Sequence, residues 1–359
     1  MPKPDQTAAD GKNIDERNPL TPIPLVILSG FLGAGKTTRL NTWLKHPALE
    51  DTLVIINEFG EIGLDHLLIE EAPGDVVLLA AGCLCCTIRG DLVATLEDLL
   101  RRRDNHRIRF FRQVLIETTG LADPLPILQS VLQHPYLSKR FTVSGLVTLV
   151  DAVNGSATLA AYPEARRQVA LADRLLVTKT DLVRADELAT LETGLRALNP
   201  TVPPLTDPAA FDPAKLFDRR FEPRAASGQD VLEWLGETET TATLASGHGV
   251  GQHGAEITSH TFISAEAISE ASLIVFQEAM RILHGPRLLR LKGLIALRED
   301  PGHPVVIHHV QSVAHKPVKL LRWPGRDRRT RLVVITQGIA RETIAGFWDA
   351  LVKADAEKA

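Results

Sequence analysis

The sequence predicts an α/β fold: a doubly wound, mostly parallel sheet followed by a smaller α+β domain. Three observations carry this. Between Pro22 and Asn199 an apolar run, a turn and an amphipathic stretch recur several times. Most of these runs are continuous rather than alternating, as in parallel strands buried on both faces. After Pro200 the texture changes, first to a Pro-, Ala-, Gly-, Asp- and Thr-rich stretch and then to a second pattern of strands and helices.

In order, the predicted strands are Pro24–Ser29, Thr52–Asn57, Asp75–Ala80, Gln113–Glu117, Ser144–Val150 and Arg174–Thr178. Helical patterns follow at Thr37–Lys45, Ile88–Arg103 and Asp186–Leu198. Strand–helix alternation of this kind winds helices onto both faces of a parallel sheet and leaves ligands at the carboxyl ends of the strands. Residues 201–256 read as a linker with short apolar pieces such as Val231–Leu235. The second unit reads as a strand (His260–Ser264), a helix (Ser269–Leu283), three strands (Leu288–Leu297, Pro304–His309, Arg331–Thr336) and a closing helix over Ile339–Lys353. The expected division is a tail at 1–20, a nucleotide-binding domain at 21–200, the linker, and a terminal domain at 257–355.

At 359 residues, with 44% hydrophobic and 23% charged residues, the composition is that of a soluble globular protein long enough for two domains. A net charge of −4 argues against wholesale nucleic-acid binding. No apolar run approaches the ~20 residues of a membrane span, and the polar stretch Met1–Asn18 lacks the apolar core of a secretory signal. Three cysteines within four positions cannot form a disulfide framework, and reduced thiols point to the cytoplasm.

The segment from Gly30 to Thr37 is glycine, four residues, then Gly-Lys-Thr, between an apolar strand and a helix. That is a phosphate loop. Its glycines let successive N–H groups and the helix N-terminus face an anion. Gly30, Gly33, Ala34, Gly35, Lys36, Thr37 and Thr38 are the predicted phosphate contacts, with Lys36 between the outer phosphates and the Thr37 hydroxyl placed for Mg²⁺. Glu117 ends an apolar strand where such enzymes keep the carboxylate that orders Mg²⁺, and Gly120 stands where an N–H senses the γ-phosphate. Lys36, Thr37 and Glu117 are therefore the candidate catalytic residues. Thr178-Lys179-Thr180-Asp181 ends a further strand, and a carboxylate at Asp181 can accept from the guanine N1–H and amine. Thr178 stands where the usual guanine motif has Asn, so GTP/GDP is favoured over adenine nucleotides without being fixed. Leu121, where many GTPases carry a water-orienting Gln, predicts slow unaided hydrolysis.

All three cysteines lie in Gly82-Cys83-Leu84-Cys85-Cys86, between a buried strand and a helix. Thiolates suit Zn²⁺, Cu(I) or Co²⁺ in a tetrahedral site, and three of them leave a fourth position open. In the turn after the second strand, Glu58 could reach Mg²⁺ and Glu61 could complete the cysteine site.

Taken together, Gly30–Thr38, Asn57–Asp65, Gly82–Cys86, Glu117–Pro124 and Thr178–Asp181 stand in the order seen in the CobW family, and the sequence resembles those metallochaperone-type GTPases. Arg290–Gly293 and Val310–Val313 resemble that family's terminal module more weakly. The resemblance implies that the GTP-bound protein takes Zn²⁺ or Co²⁺ at the cysteines and that hydrolysis releases it to a client metalloprotein. It leaves room for a nucleotide-dependent homodimer. A cytosolic metal buffer modulated by nucleotide is the alternative, and a small-molecule kinase is disfavoured by the Thr-Lys-x-Asp segment. Among eight histidines after residue 240, His248, His253, His303, His308, His309 and His315 are secondary metal candidates, although adjacent His308 and His309 must face opposite ways on a strand.

Overall fold

A computed structural model describes residues 21–59, 76–81, 87–207, 209–218, 228–236, 257–311 and 313–357. Strand β1 (Ile23–Gly30) shows why the first unit is layered. Leu25 and Ile27 point into one apolar cluster with Leu92, Leu96 and Leu125, whereas Val26 and Leu28 point into another with Leu40 and Trp43. All four are fully buried, so a continuous apolar run serves helices on both faces.

Helix α1 (Lys36–Trp43) covers one face, and α2 (Thr87–Asp104) and α3 (Leu125–Gln133) cover the other. The remaining elements are β2 (Thr52–Phe59), β3 (Val76–Ala81), β4 (Gln113–Glu117), the short α4 (Leu137–Arg140), β5 (Phe141–Asp151), α5 (Gly155–Ala161), α6 (Pro163–Leu171), β6 (Arg174–Thr178) and α7 (Ala185–Leu198). With β7 (Pro204–Leu205) they form a parallel sheet in the order β3-β2-β4-β1-β5-β6-β7. The chain works outward from β1 on one side, returns through β4, and continues through β5 on the other. Such a reversal opens a crevice at the carboxyl ends of the strands.

The second unit is an antiparallel sheet with two helices on one face. It comprises β8 (Ile257–Ser264), α9 (Glu270–His284), β9 (Leu288–Ile295), β10 (Val305–Val310), β11 (Val313–Ala314), β12 (Val318–Lys319), β13 (Thr330–Gln337) and α10 (Arg341–Ala356). Phe276 and Met280 of α9 pack with Ile344 and Trp348 of α10 against this sheet. Its other face meets the first unit: Leu289, Val310, Ile335 and Ile257 join the same apolar cluster as Leu125 and Leu171.

The linker expectation needs correction. Pro204–Leu205 adds a strand to the parallel sheet, Leu216 is fully buried beneath it, and residues 228–235 form helix α8 (Gly228–Leu235). Val231, Trp234 and Leu235 pack on Leu294, Val306 and Trp323 of the second unit. The sequence marks Val231–Leu235 as a short apolar piece, too brief among its Gly- and Thr-rich surroundings to show the period of a helix. Among the described residues no helix is long and apolar enough to cross a membrane.

Candidate nucleotide and metal site

Strand β1 delivers the phosphate loop against its neighbour. At Gly30 a Cβ would lie 2.5 Å from the carbonyl oxygen of Leu149 in β5, so the loop can start there only on glycine. Gly35 has a left-handed φ of 83° and occupies the N-cap of α1 without a side-chain hydrogen bond to the helix, which leaves the first N–H groups directed into the loop. The buried Lys36 ammonium donates to the carbonyls of Gly30 (2.8 Å) and Phe31 (3.3 Å), threading the charge through the loop. Ala34 is buried and Thr38 is exposed on the outer side of the turn.

Pairing of β1 with β4 sets Leu28 beside Glu117, which brings the carboxylate to the same edge. Glu117 is buried, and its Oε1 accepts from the Thr37 hydroxyl at 3.0 Å. Thr37 and Glu117, both singled out in the sequence, thus stand side by side at this strand edge. Gly120, three residues on, abuts the phosphate loop so closely that a Cβ would lie 2.5 Å from the Leu32 nitrogen. Leu121 beside it is exposed.

On the other side of β1, the Thr178 hydroxyl donates to the Ala34 carbonyl at 2.9 Å and lies 3.3 Å from that of Val150. Thr178 is buried and its proton is committed to the protein, so it binds the Thr-Lys-x-Asp turn to the phosphate loop. Lys179 is left-handed (φ 57°) and its ammonium meets Asp151 Oδ2 at 2.7 Å. Burial would raise the Asp151 carboxyl, but hydrogen bonds from Lys179, Asn154 and the Val153 N–H outweigh it and hold the group below its ordinary range. Asp181 is exposed on the following 3₁₀ turn, Thr180–Leu182.

Cys83, Cys85, Cys86 and Glu61 lie outside the described residues. Glu58 is in β2, but its side chain is outside them too. Among the described residues no group of three or more His, Cys, Asp or Glu could hold a metal ion. His248 and His253 are likewise outside. His308 and His309 do face opposite ways: His308 stacks on His315 (centroids 4.6 Å apart) near Arg290, and His309 is buried against Gln277. His303 pairs with Asp300.

Sequence reasoning missed Asp151 and Gln168. Asp151 closes an apolar strand at the same sheet edge as Glu117 and Thr178, so the strand-end rule applied to every strand finds it. Gln168, in mid-helix, gave no signal, yet its amide donates to the carbonyls of Gly120 (3.2 Å) and Ala122 (3.0 Å).

Comparison with known proteins agrees with this geometry. Residues 24–206 match the family model described as CobW/HypB/UreG, nucleotide-binding domain, and residues 257–352 match the cobalamin synthesis protein cobW C-terminal domain. The zinc chaperone YjiA of Escherichia coli is 41% identical over 187 residues, 52% of this chain and 58% of that protein, so the match spans little more than half of that relative. The zinc chaperone CobW of Pseudomonas aeruginosa is 30% identical over 91% of this chain and 90% of its own. The crystal structure of Zn(II)-bound YjiA GTPase from E. coli superposes with a TM-score of 0.69 at 25% identity, covering 92% of this chain and 99% of that one. With a phosphate loop, a strand-end Glu117 touching Thr37 and both family domains matched in order, the chain belongs to the CobW/HypB/UreG family of P-loop GTPases.

Proposed function

We propose that this metal-handling GTPase binds Zn²⁺ as cargo at Cys83, Cys85 and Cys86, with Glu61 as a fourth donor, and passes it to a client metalloprotein as GTP is hydrolysed. The observation that carries the reading is the strand order. The cysteine string follows β3, Glu58 and Glu61 fall at and after the end of β2, Glu117 ends β4, and the phosphate loop follows β1; these four strands are neighbours in one parallel sheet. A loop movement answering the γ-phosphate can therefore change the ligands of a metal held at the same edge. Three thiolates and one exchangeable donor suit a cargo that must leave. Zn²⁺ is preferred to Co²⁺ because two relatives carry the name zinc chaperone.

In this reading the N–H groups from Gly33 to Thr38 and the Lys36 ammonium hold the phosphates, and Lys179 and Asp181 read the guanine. Thr37 and Glu117 are hard oxygen donors already in contact, a set that fits Mg²⁺. When bound there, Mg²⁺ would neutralise charge on the outer phosphates, and Glu58 is a further candidate donor. Gly120 offers its N–H to the γ-phosphate. Water attacks the γ-phosphorus, the bond to the bridging oxygen breaks, and GDP leaves; apolar Leu121 contributes nothing to orienting that water, so unaided turnover is slow. Residues 21–200, extended by the strand Pro204–Leu205, are the proposed GTPase domain, 257–355 the terminal domain, and the cytosol the proposed compartment. A nucleotide-dependent homodimer remains part of the proposal.

The test is a Co²⁺ titration of the reduced full chain, with and without a non-hydrolysable GTP analogue, followed by thiolate-to-cobalt absorption. The expected result is tenfold or tighter binding with the analogue, about 1.4 kcal/mol of coupling, and loss of the band in Cys85→Ala. Equal binding with and without nucleotide overturns the coupling.

A further inference from the structure

Two consecutive residues of α6, Arg167 and Gln168, hold the loop that follows β4. Gln168 is buried, and the two hydrogens of its amide reach the carbonyls of Gly120 and Ala122. Its own backbone carbonyl accepts from the Thr148 hydroxyl of β5, which seats the helix on the sheet. Arg167, about 100° round the helix, donates to Asp123 at 2.9 Å and also to Gln337 of β13 in the second unit. Asp123 in turn accepts from the Leu125 N–H at the start of α3. The C-terminal end of the same helix is held from the second unit as well. Arg290 of β9 donates to the carbonyls of Leu171 (2.8 Å) and Ala172 (2.7 Å) and pairs with Asp173.

We infer that Arg167 and Gln168 are positioning residues that fix the Gly120–Asp123 loop against the phosphate loop and make its position depend on the terminal domain through Gln337. The inference rests on the assignment of that loop to the phosphate end of the nucleotide. The Gln168 amide donates to the Gly120 and Ala122 carbonyls, so a shift of the loop either breaks those bonds or carries α6 with it. An unpaired buried amide or carbonyl is costly, so the second course is favoured over the first. A helix carried by the loop pulls on Arg167–Gln337 and on the Arg290 contacts. Nucleotide state then biases how the second sheet sits, and by reciprocity the second sheet biases nucleotide preference.

The experiment measures affinities of the full-length protein for GDP and a non-hydrolysable GTP analogue in Mg²⁺, with no transition metal present. Arg167→Ala and Gln337→Ala should each change the analogue-to-GDP affinity ratio by threefold or more. The double variant should change it no further than the larger single, as for two ends of one contact. Gln168→Met, which keeps the volume and removes the amide, should lower kcat for GTP more than it raises KM. Arg167 and Gln337 carry the test if Gln168→Met does not fold. A wild-type ratio in both single variants, with only the melting temperature lowered, reduces the contacts to a structural staple and overturns the inference. Additive shifts in the double variant break the proposed bridge. Gly120→Ala separates the two levels: if it alters the ratio while Arg167→Ala and Gln337→Ala do not, the inference fails and the site reading survives. If Gly120→Ala is also without effect, both fail. Zinc does not enter the measurement, so loss of the cargo reading leaves the outcome intact.

Discussion

Thr37 donates its hydroxyl proton to Glu117 Oε1 across 3.0 Å, joining the first turn of α1 to the last residue of β4. Two elements 80 residues apart in sequence thus present adjacent oxygens at one strand edge. Glu117→Gln preserves the shape and the acceptor oxygen but removes the charge. The expected result is a fall of roughly 10²-fold in GTP hydrolysis, the scale of losing one preorganised electrostatic contact, and a higher Mg²⁺ requirement. GDP affinity should change far less. Phosphate release measured across a Mg²⁺ series checks this, and an unchanged rate would remove Glu117 from the machinery.

Thr178 stands where sequence comparison with the usual guanine motif suggests a weakened base contact, yet the structure gives its hydroxyl to Ala34 in the phosphate loop. Thr178→Val keeps the volume and strands a buried carbonyl. Stability should fall by about 1–3 kcal/mol, and nucleotide affinity should fall with it because Ala34 is no longer held. Thermal melts with and without GDP separate the two effects. A variant that melts like wild type but discriminates GTP from ATP less well would make Thr178 a base contact after all.

Continuous apolar runs such as Pro24–Ser29, within the strand Ile23–Gly30, were legible in the sequence because a strand covered on both faces needs apolar side chains pointing both ways. The phosphate loop was legible because glycine is required where backbone meets backbone, as Gly30 meets Leu149. What stayed hidden depends on tertiary pairing. Arg290 and Lys292 sit in a strand whose every residue is buried, and nothing in the sequence names the partners that let two cations be buried there, Asp173 and Thr201. Gln168 is the same case within one domain: nothing local marks a mid-helix glutamine as the clasp of a distant loop.

Arg290 is fully buried and spans the two units. Burial alone would raise the Asp173 carboxyl, but the Arg290 guanidinium and the Leu146 N–H pull it below its ordinary range. Arg290→Met fills the space but takes the guanidinium away from that carboxylate and from the Leu171 and Ala172 carbonyls, leaving Asp173 the Leu146 N–H and Ala172 the Asn199 amide. Breaking one side of such a buried pair costs about 3–5 kcal/mol, so the variant should unfold at much lower denaturant. Because the lost contacts are between units, unfolding should also broaden or split into two steps. Fluorescence and circular dichroism followed through the same urea series would show it, and coincident transitions at the wild-type midpoint would refute it.

His309 gives the molecule a defined acid sensitivity. It is fully buried in β10, with its Nε2 3.0 Å from Gln277 Oε1 of α9. Burial, reinforced by nearby His315 and only partly offset by Glu278, pushes the imidazole from 6.5 down to about 4. Between those two values the unfolded chain binds a proton that the folded one does not, so stability rises with pH through this window. It is complete above 6.5 and is lost as pH falls toward 4, by up to about 3 kcal/mol at 1.36 kcal/mol per unit. His308, also pushed well below its ordinary value by burial, acts in the same direction. His309→Gln should therefore reduce the stability lost between pH 7 and pH 5 by roughly 2 kcal/mol while leaving the Thr37–Glu117 site untouched. Urea midpoints at those two pH values read the difference, and an unchanged pH dependence in the variant would mean that His309 takes up its proton in the folded state as readily as in the unfolded chain.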